Sequence, residues 1–117
     1  MNRSDRVVLK KIIKYADQMQ LSVDEISQSY DKFLGSSTAR NAVAMCILQI
    51  GELANKLTKE FRITYNGMPW NFIVNMRHRM AHDYDESDIE IIWNTAIEDV
   101  PGLKDYCQKV LDEAGEE

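Results

Sequence analysis

Apolar residues recur at intervals of three and four along most of this chain, and that rhythm restricts it to helices. The cleanest stretch is Val43, Cys46, Ile47, Ile50, Leu53, Ala54 and Leu57, one face of a 3.6-residue period. It predicts a helix from about Thr38 to about Phe61. Val8, Leu9, Ile12, Ile13, Ala16 and Met19 mark a first amphipathic helix over residues 2–21. Ser22 followed by Glu25 reads as a capping box that opens a short second helix, "VDEISQSYDKF". Gly35, Ser36 and Ser37 then break the chain.

"YNGMP" is a turn whose proline suits the first turn of a following helix. That helix starts near Pro69 and carries Trp70, Ile73, Val74, Met76, Arg77, Met80 and Ala81, ending near "HDYDES". The last helix starts at Ser87 or Asp88 and presents Ile89, Ile92, Trp93, Ala96, Ile97 and Val100. Pro101 and Gly102 should bend or interrupt it. Leu103, Tyr106, Cys107, Val110 and Leu111 then resume the stripe. No alternating strand pattern and no repeat is present. The expectation is one all-α domain over residues 1–117, an up-and-down bundle of about four main helices plus a short extra one.

Hydrophobic residues are 44% and charged residues 28% of the chain, the balance of a water-exposed globule with a core. No apolar run approaches the roughly 20 residues that span a bilayer. The opening "MNRSDRVVLKKIIKYADQMQ" lacks the apolar block and cleavage site of a signal peptide. The expected location is therefore cytoplasmic. Cys46 and Cys107 fall in apolar stripes, without CxxC or zinc spacing, and read as buried thiols. The net charge of −5 hides a division: residues 1–82 carry 12 Lys and Arg against 7 Asp and Glu, residues 83–117 carry 2 against 12. Phosphate could still be met on the first, positive portion, though most of these charges read as a solvated face.

The sign changes just after "MRHRMAHDY", residues 76–84, which holds both histidines of the chain. On a helix at about 100° per residue, Arg77 and Tyr84 share nearly one face, while Arg77 and His82 are about 140° apart. Arg77 and His82 converge only if the arginine reaches round, the helix unwinds at His82, or a second subunit completes the site; a symmetric dimer with composite clefts satisfies this. Three chemistries fit the residues. His82 can exchange a proton with a ribose 2′-OH or a leaving 5′-oxygen while Arg77 braces the phosphate, giving RNA cleavage without metal. His78 and His82, four apart, can bind zinc, though no nearby Glu or Cys completes a motif. Or His82 caps a helix C-terminus and the arginines pair with downstream acids.

Arg77, four residues, His82, Asp83 and Tyr84 together read R-x4-H-x-Y. The surrounding "MPWNFIVNMRHRMAHDYDESDIEIIWNTAIEDVPGLK" resembles the C-terminal half of the HepT family of HEPN-domain proteins, and "ILQIGELANKLT" resembles that family's "IGEAAKRL" segment. The resemblance extends over essentially the whole chain. It implies a helical homodimer, the toxin of a toxin–antitoxin pair, acting as a metal-independent ribonuclease. It places Arg77 and His82 in a cleft between subunits, with transfer RNA a plausible target class. The implied partner is an MntA-type nucleotidyltransferase that silences the toxin by transferring AMP to Tyr84. His78 stands where the family often has Asn, and Asp83 where a small residue such as Gly is common. Glu52 matches the family's glutamate and is expected to bond across the bundle or to the motif arginine; on the residues alone it is the edge of a stripe. A different class also fits: a non-catalytic helical module that docks the nucleotidyltransferase and is modified by it.

Overall fold

The computed structural model describes residues 1–81 and 86–115. Every regular element among them is helical: α1 (Arg3–Glu25), α2 (Tyr30–Leu34), α3 (Ser37–Asn55), α4 (Lys59–Thr64), α5 (Trp70–Ala81), α6 (Glu86–Asn94), a π-helical turn (Thr95–Asp99) and α7 (Val100–Ala114). The all-α expectation holds, with two short helices rather than one. α3 is the central rod. It packs most extensively against α5 and α1, and α1 also packs against α7. That placement explains why its stripe is so regular: Val43, Ile47, Ile50 and Ala54 are completely buried.

Two expected boundaries move. α1 does not stop at Leu21, because Val23 repeats the stripe four residues after Met19 and is completely buried. Ser22 therefore lies inside α1 rather than capping a new helix. The chain instead reverses at Ser27 and Gln28, with φ of 56° and 55°. Ser29 then caps the five-residue α2, accepting from the Lys32 amide at 3.2 Å.

The second change is in the expected helix from Thr38 to Phe61, which is divided. α3 ends at Asn55, and Thr58 starts α4 by accepting from the Phe61 amide at 3.1 Å. Asp5 of α1 secures the break. Its carboxylate accepts from the Thr58 amide at 2.9 Å and the Thr58 hydroxyl at 2.7 Å, and only 2% of Asp5 is exposed. The Arg62 guanidinium donates to the Ala54 carbonyl at 2.9 Å, satisfying part of the α3 terminus.

Aromatic contacts close both ends of the bundle. Trp93 of α6 meets Phe33 and Tyr30 of α2, with ring centroids 4.9 and 5.9 Å away. At the other end Trp70 packs against Phe61 and Tyr106 and donates to the Tyr65 carbonyl at 2.7 Å. The Tyr106 hydroxyl accepts from the Gly67 amide at 3.1 Å, and a Cβ on Gly67 would fall 2.5 Å from the Tyr106 ring. This pins the "YNG" turn that leads into α5. Tyr106→Phe should lower stability by about 1 kcal/mol, one hydrogen bond, measured by urea denaturation; no change would mean that the ring alone fixes the turn.

The interruption expected at Pro101 takes the form of a π turn. The Val100 amide reaches back five residues to the Thr95 carbonyl. The widened turn resets the register, so Ala96, Val100, Leu103 and Cys107 all stay buried. Pro101 falls in the first turn of α7, where its missing N–H costs little.

Cys46 and Cys107 are both free and buried, as expected. Burial raises the Cys46 thiol pKa and pushes Cys107 from its ordinary 9.0 up to about 12. A raised folded-state pKa means the folded chain holds the proton more tightly. The resulting stability is fully present below about pH 9 and is lost as pH rises toward about 12. Cys107→Ala should flatten that alkaline fall in Tm; an unchanged slope would refute the assignment to this thiol.

Candidate active site

α5 begins immediately after Pro69 and is anchored by Trp70, Ile73 and Val74, all under 9% exposed. Arg77 follows Val74 by three residues and Ile73 by four, so it emerges on the flank of the buried face. Its side chain is 27% exposed. The side chain is thus partly packed against the bundle and partly open to solvent. His78 and Arg79 are exposed in the last turn of α5, where the helix dipole favours positive charge.

Opposite Arg77 lies α3. Glu52 Oε1 is 3.9 Å from Arg77 Nε, and the Glu52 side chain is 50% exposed. That separation is an ion pair rather than a tight charge-assisted hydrogen bond, whose length is nearer 2.8 Å. At this exposure it contributes at most about 1 kcal/mol. The carboxylate holds a counter-charge beside the guanidinium without locking it. Of the residues singled out in the sequence, then, the fold brings Arg77 and Glu52 together and leaves His78 in solvent. His82, Asp83 and Tyr84 lie outside the described residues.

Gly51 was not singled out by its chemistry. A Cβ there would lie 3.1 Å from the Arg77 backbone nitrogen, 3.2 Å from Arg77 Cβ and 3.2 Å from the Ile73 carbonyl oxygen. α3 and α5 cross at Gly51, directly under Arg77. The available signal was a glycine inside an otherwise regular helical stripe, which marks close approach as often as a break. Asp5 also escaped notice. It lies four residues before Leu9 and seven before Ile12, on the apolar face, an unusual place for an acid without a partner.

Another face of α5 carries exposed apolar side chains. Phe72 is 60% exposed and Ile91 39%. With Ile47, Asn75, Met76, Arg79, Met80 and Thr95 they line a shallow depression of about 120 Å³ between α5 and the α6 region.

A sequence model described as "Ribonuclease HepT-like" matches residues 9–110. The chain belongs to the HepT-like ribonuclease family. The match spans α3, α5 and the motif segment between α5 and α6. A protein of Thermococcus cleftensis named probable ribonuclease HepT is 27% identical over 110 residues, 94% of this chain and 98% of its own. A candidate RNase of Methanocaldococcus jannaschii is 27% identical over 109 residues, covering 93% of this chain and 92% of its own. A candidate RNase of Caldanaerobacter subterraneus subsp. tengcongensis is 30% identical over 83 residues, 71% of this chain and 74% of its own. No solved structure matches. Among the described residues of this HepT-like chain, no helix is long and apolar enough to cross a membrane. Nor do three His, Cys, Asp or Glu residues among them group closely enough to hold a metal ion.

Proposed function

We propose that this HepT-like protein is the toxin of a toxin–antitoxin pair and cleaves RNA, transfer RNA being the favoured class, without a metal ion. Arg77 braces the scissile phosphate. His82 takes the proton from the ribose 2′-OH as that oxygen attacks phosphorus. The P–O5′ bond breaks, and a second imidazole, His82 of the partner subunit, protonates the leaving oxygen. The products are a 2′,3′-cyclic phosphate and a free 5′-hydroxyl. The carrying observation is the HepT-like family match over residues 9–110, the stretch that contains R-x4-H-x-Y, together with a partly exposed Arg77.

The composite site requires a homodimer. The depression lined by Phe72 and Ile91 lies on α5, the helix that carries Arg77, and is the face this reading buries against a second copy. Phe72→Glu should give a folded monomer with RNA cleavage reduced at least tenfold, read by light scattering and a cleavage assay. A dimeric, active Phe72→Glu protein would remove this face from the interface.

The partner in this reading is an MntA-type nucleotidyltransferase antitoxin. The Tyr84 phenolic oxygen attacks the α-phosphorus of ATP, pyrophosphate leaves, and the phenolic proton is lost. The attached AMP places an anionic phosphate on the sequence segment of Arg77 and competes with RNA for the guanidinium. Intact-mass spectrometry after incubation with the partner and ATP should show whole AMP increments that Tyr84→Phe abolishes. Cleavage should fall in step. A tight, modified complex with no cleavage by the unmodified protein would instead identify a docking module without ribonuclease activity.

A further inference from the structure

We infer that Gly51 is a positioning residue: it sets the depth at which Arg77 sits over α3 and so brings the guanidinium to Glu52, a role that rests on the ribonuclease reading of Arg77. A Cβ at position 51 would meet three atoms at 3.1–3.2 Å, and all three belong to the α5 main chain or to Arg77 Cβ. None is the end of a flexible side chain that can swing away. Ordinary contacts of this kind lie at about 3.5–4.0 Å, so a methyl group forces α5 itself to retreat by a few tenths of an ångström at Arg77. Gly67 differs, since a Cβ there meets a side chain, and Gly102 has nothing within 4 Å.

The retreat matters because the pairing is already long. Arg77 Nε and Glu52 Oε1 are already 3.9 Å apart, and a longer gap leaves two separately solvated charges. Gly51 and Glu52 are consecutive, so one turn of α3 both admits the α5 backbone and presents the carboxylate to Nε. A carboxylate at this distance biases the guanidinium without locking it, and that bias bears on how phosphate is met as charge develops.

The test measures kcat and KM for RNA cleavage, with Tm, for wild type, Gly51→Ala, Glu52→Gln and the double variant. Val23→Ala, at the far end of α1, is the control for lost packing. Gly51→Ala should lower kcat about tenfold, in line with the sensitivity of catalysis to sub-ångström misplacement, with a smaller change in KM. Glu52→Gln should lower kcat with little change in Tm. The double variant should fall no further than Gly51→Ala alone, because both act through one contact. Val23→Ala should lose Tm while keeping kcat within twofold. Glu52→Asp, which withdraws the carboxylate by one methylene, should mimic Gly51→Ala and decides the matter should that variant not fold. Multiplying effects, a tenfold kcat loss in Val23→Ala, or full activity in Glu52→Asp would each overturn the proposal. Should Arg77→Ala cleave like wild type, the ribonuclease reading fails and this role with it. An inactive Arg77→Ala beside a fully active Gly51→Ala refutes the positioning role alone.

Discussion

Arg77→Ala and His82→Ala should each fold, keep the Tm of the wild type within a few degrees, and lose RNA cleavage by at least a hundredfold. Acid–base catalysis by a placed imidazole contributes about 10²–10⁴ in rate. Removing one group that stabilises developing charge costs about 10²–10³. Stability should barely change for Arg77, whose ion pair with Glu52 is long and half-exposed and contributes at most about 1 kcal/mol. The two variants should also differ in kind. Arg77→Lys keeps the charge but loses the planar fork, so partial recovery would assign Arg77 to charge stabilisation and none would assign it to bidentate phosphate geometry. His82→Ala should remove the near-neutral limb of the pH–rate profile in whatever activity persists. Undiminished cleavage by purified His82→Ala protein would refute the mechanism.

The largest effect on stability is expected from a residue far from that chemistry. Asp5→Ala should destabilise the fold by about 3 kcal/mol, since two hydrogen bonds to a charged acceptor are lost and the Thr58 amide is left without its partner. The carboxylate is only 2% exposed and receives the Thr58 amide at 2.9 Å and hydroxyl at 2.7 Å. The Thr58 hydroxyl also accepts from Phe61, so the loss propagates into the α4 cap. Asp5→Asn retains one acceptor for the amide and should cost only about 1 kcal/mol, near that of a single bond. At this chain length, 3 kcal/mol corresponds to a Tm fall of roughly 10 °C. Thermal unfolding followed by circular dichroism reads both variants, and equal Tm values for Asp5→Ala and wild type would show that water replaces the carboxylate.

The helices were legible because their signal is local. A period of three and four in Val8, Leu9, Ile12, Ala16 and Met19 needs no partner to be read, and all of these are buried. The errors lay at ends. Ser22 and Glu25 satisfied a capping pattern, yet Val23 gained more from the core than a cap would return. The division of α3 from α4 left no breaker residue in the sequence: Lys56, Leu57 and Thr58 can all be helical. It arises because Thr58 finds Asp5, 53 positions earlier, and Leu57 and Phe61 are both buried on either side of that cap.

By itself, the sequence determined that this chain is helical, where its apolar faces run, and through R-x4-H-x-Y and its surroundings that it is HepT-like. These follow from side-chain periodicity and from residue order within one segment, neither of which depends on where other helices lie. Only the tertiary structure decided that Asp5 anchors α4, that α5 lies directly on Gly51, and that Arg77 faces Glu52. Each of those pairs residues distant along the chain, and their meeting depends on the depth and place at which one helix crosses another, which close packing of the whole core sets.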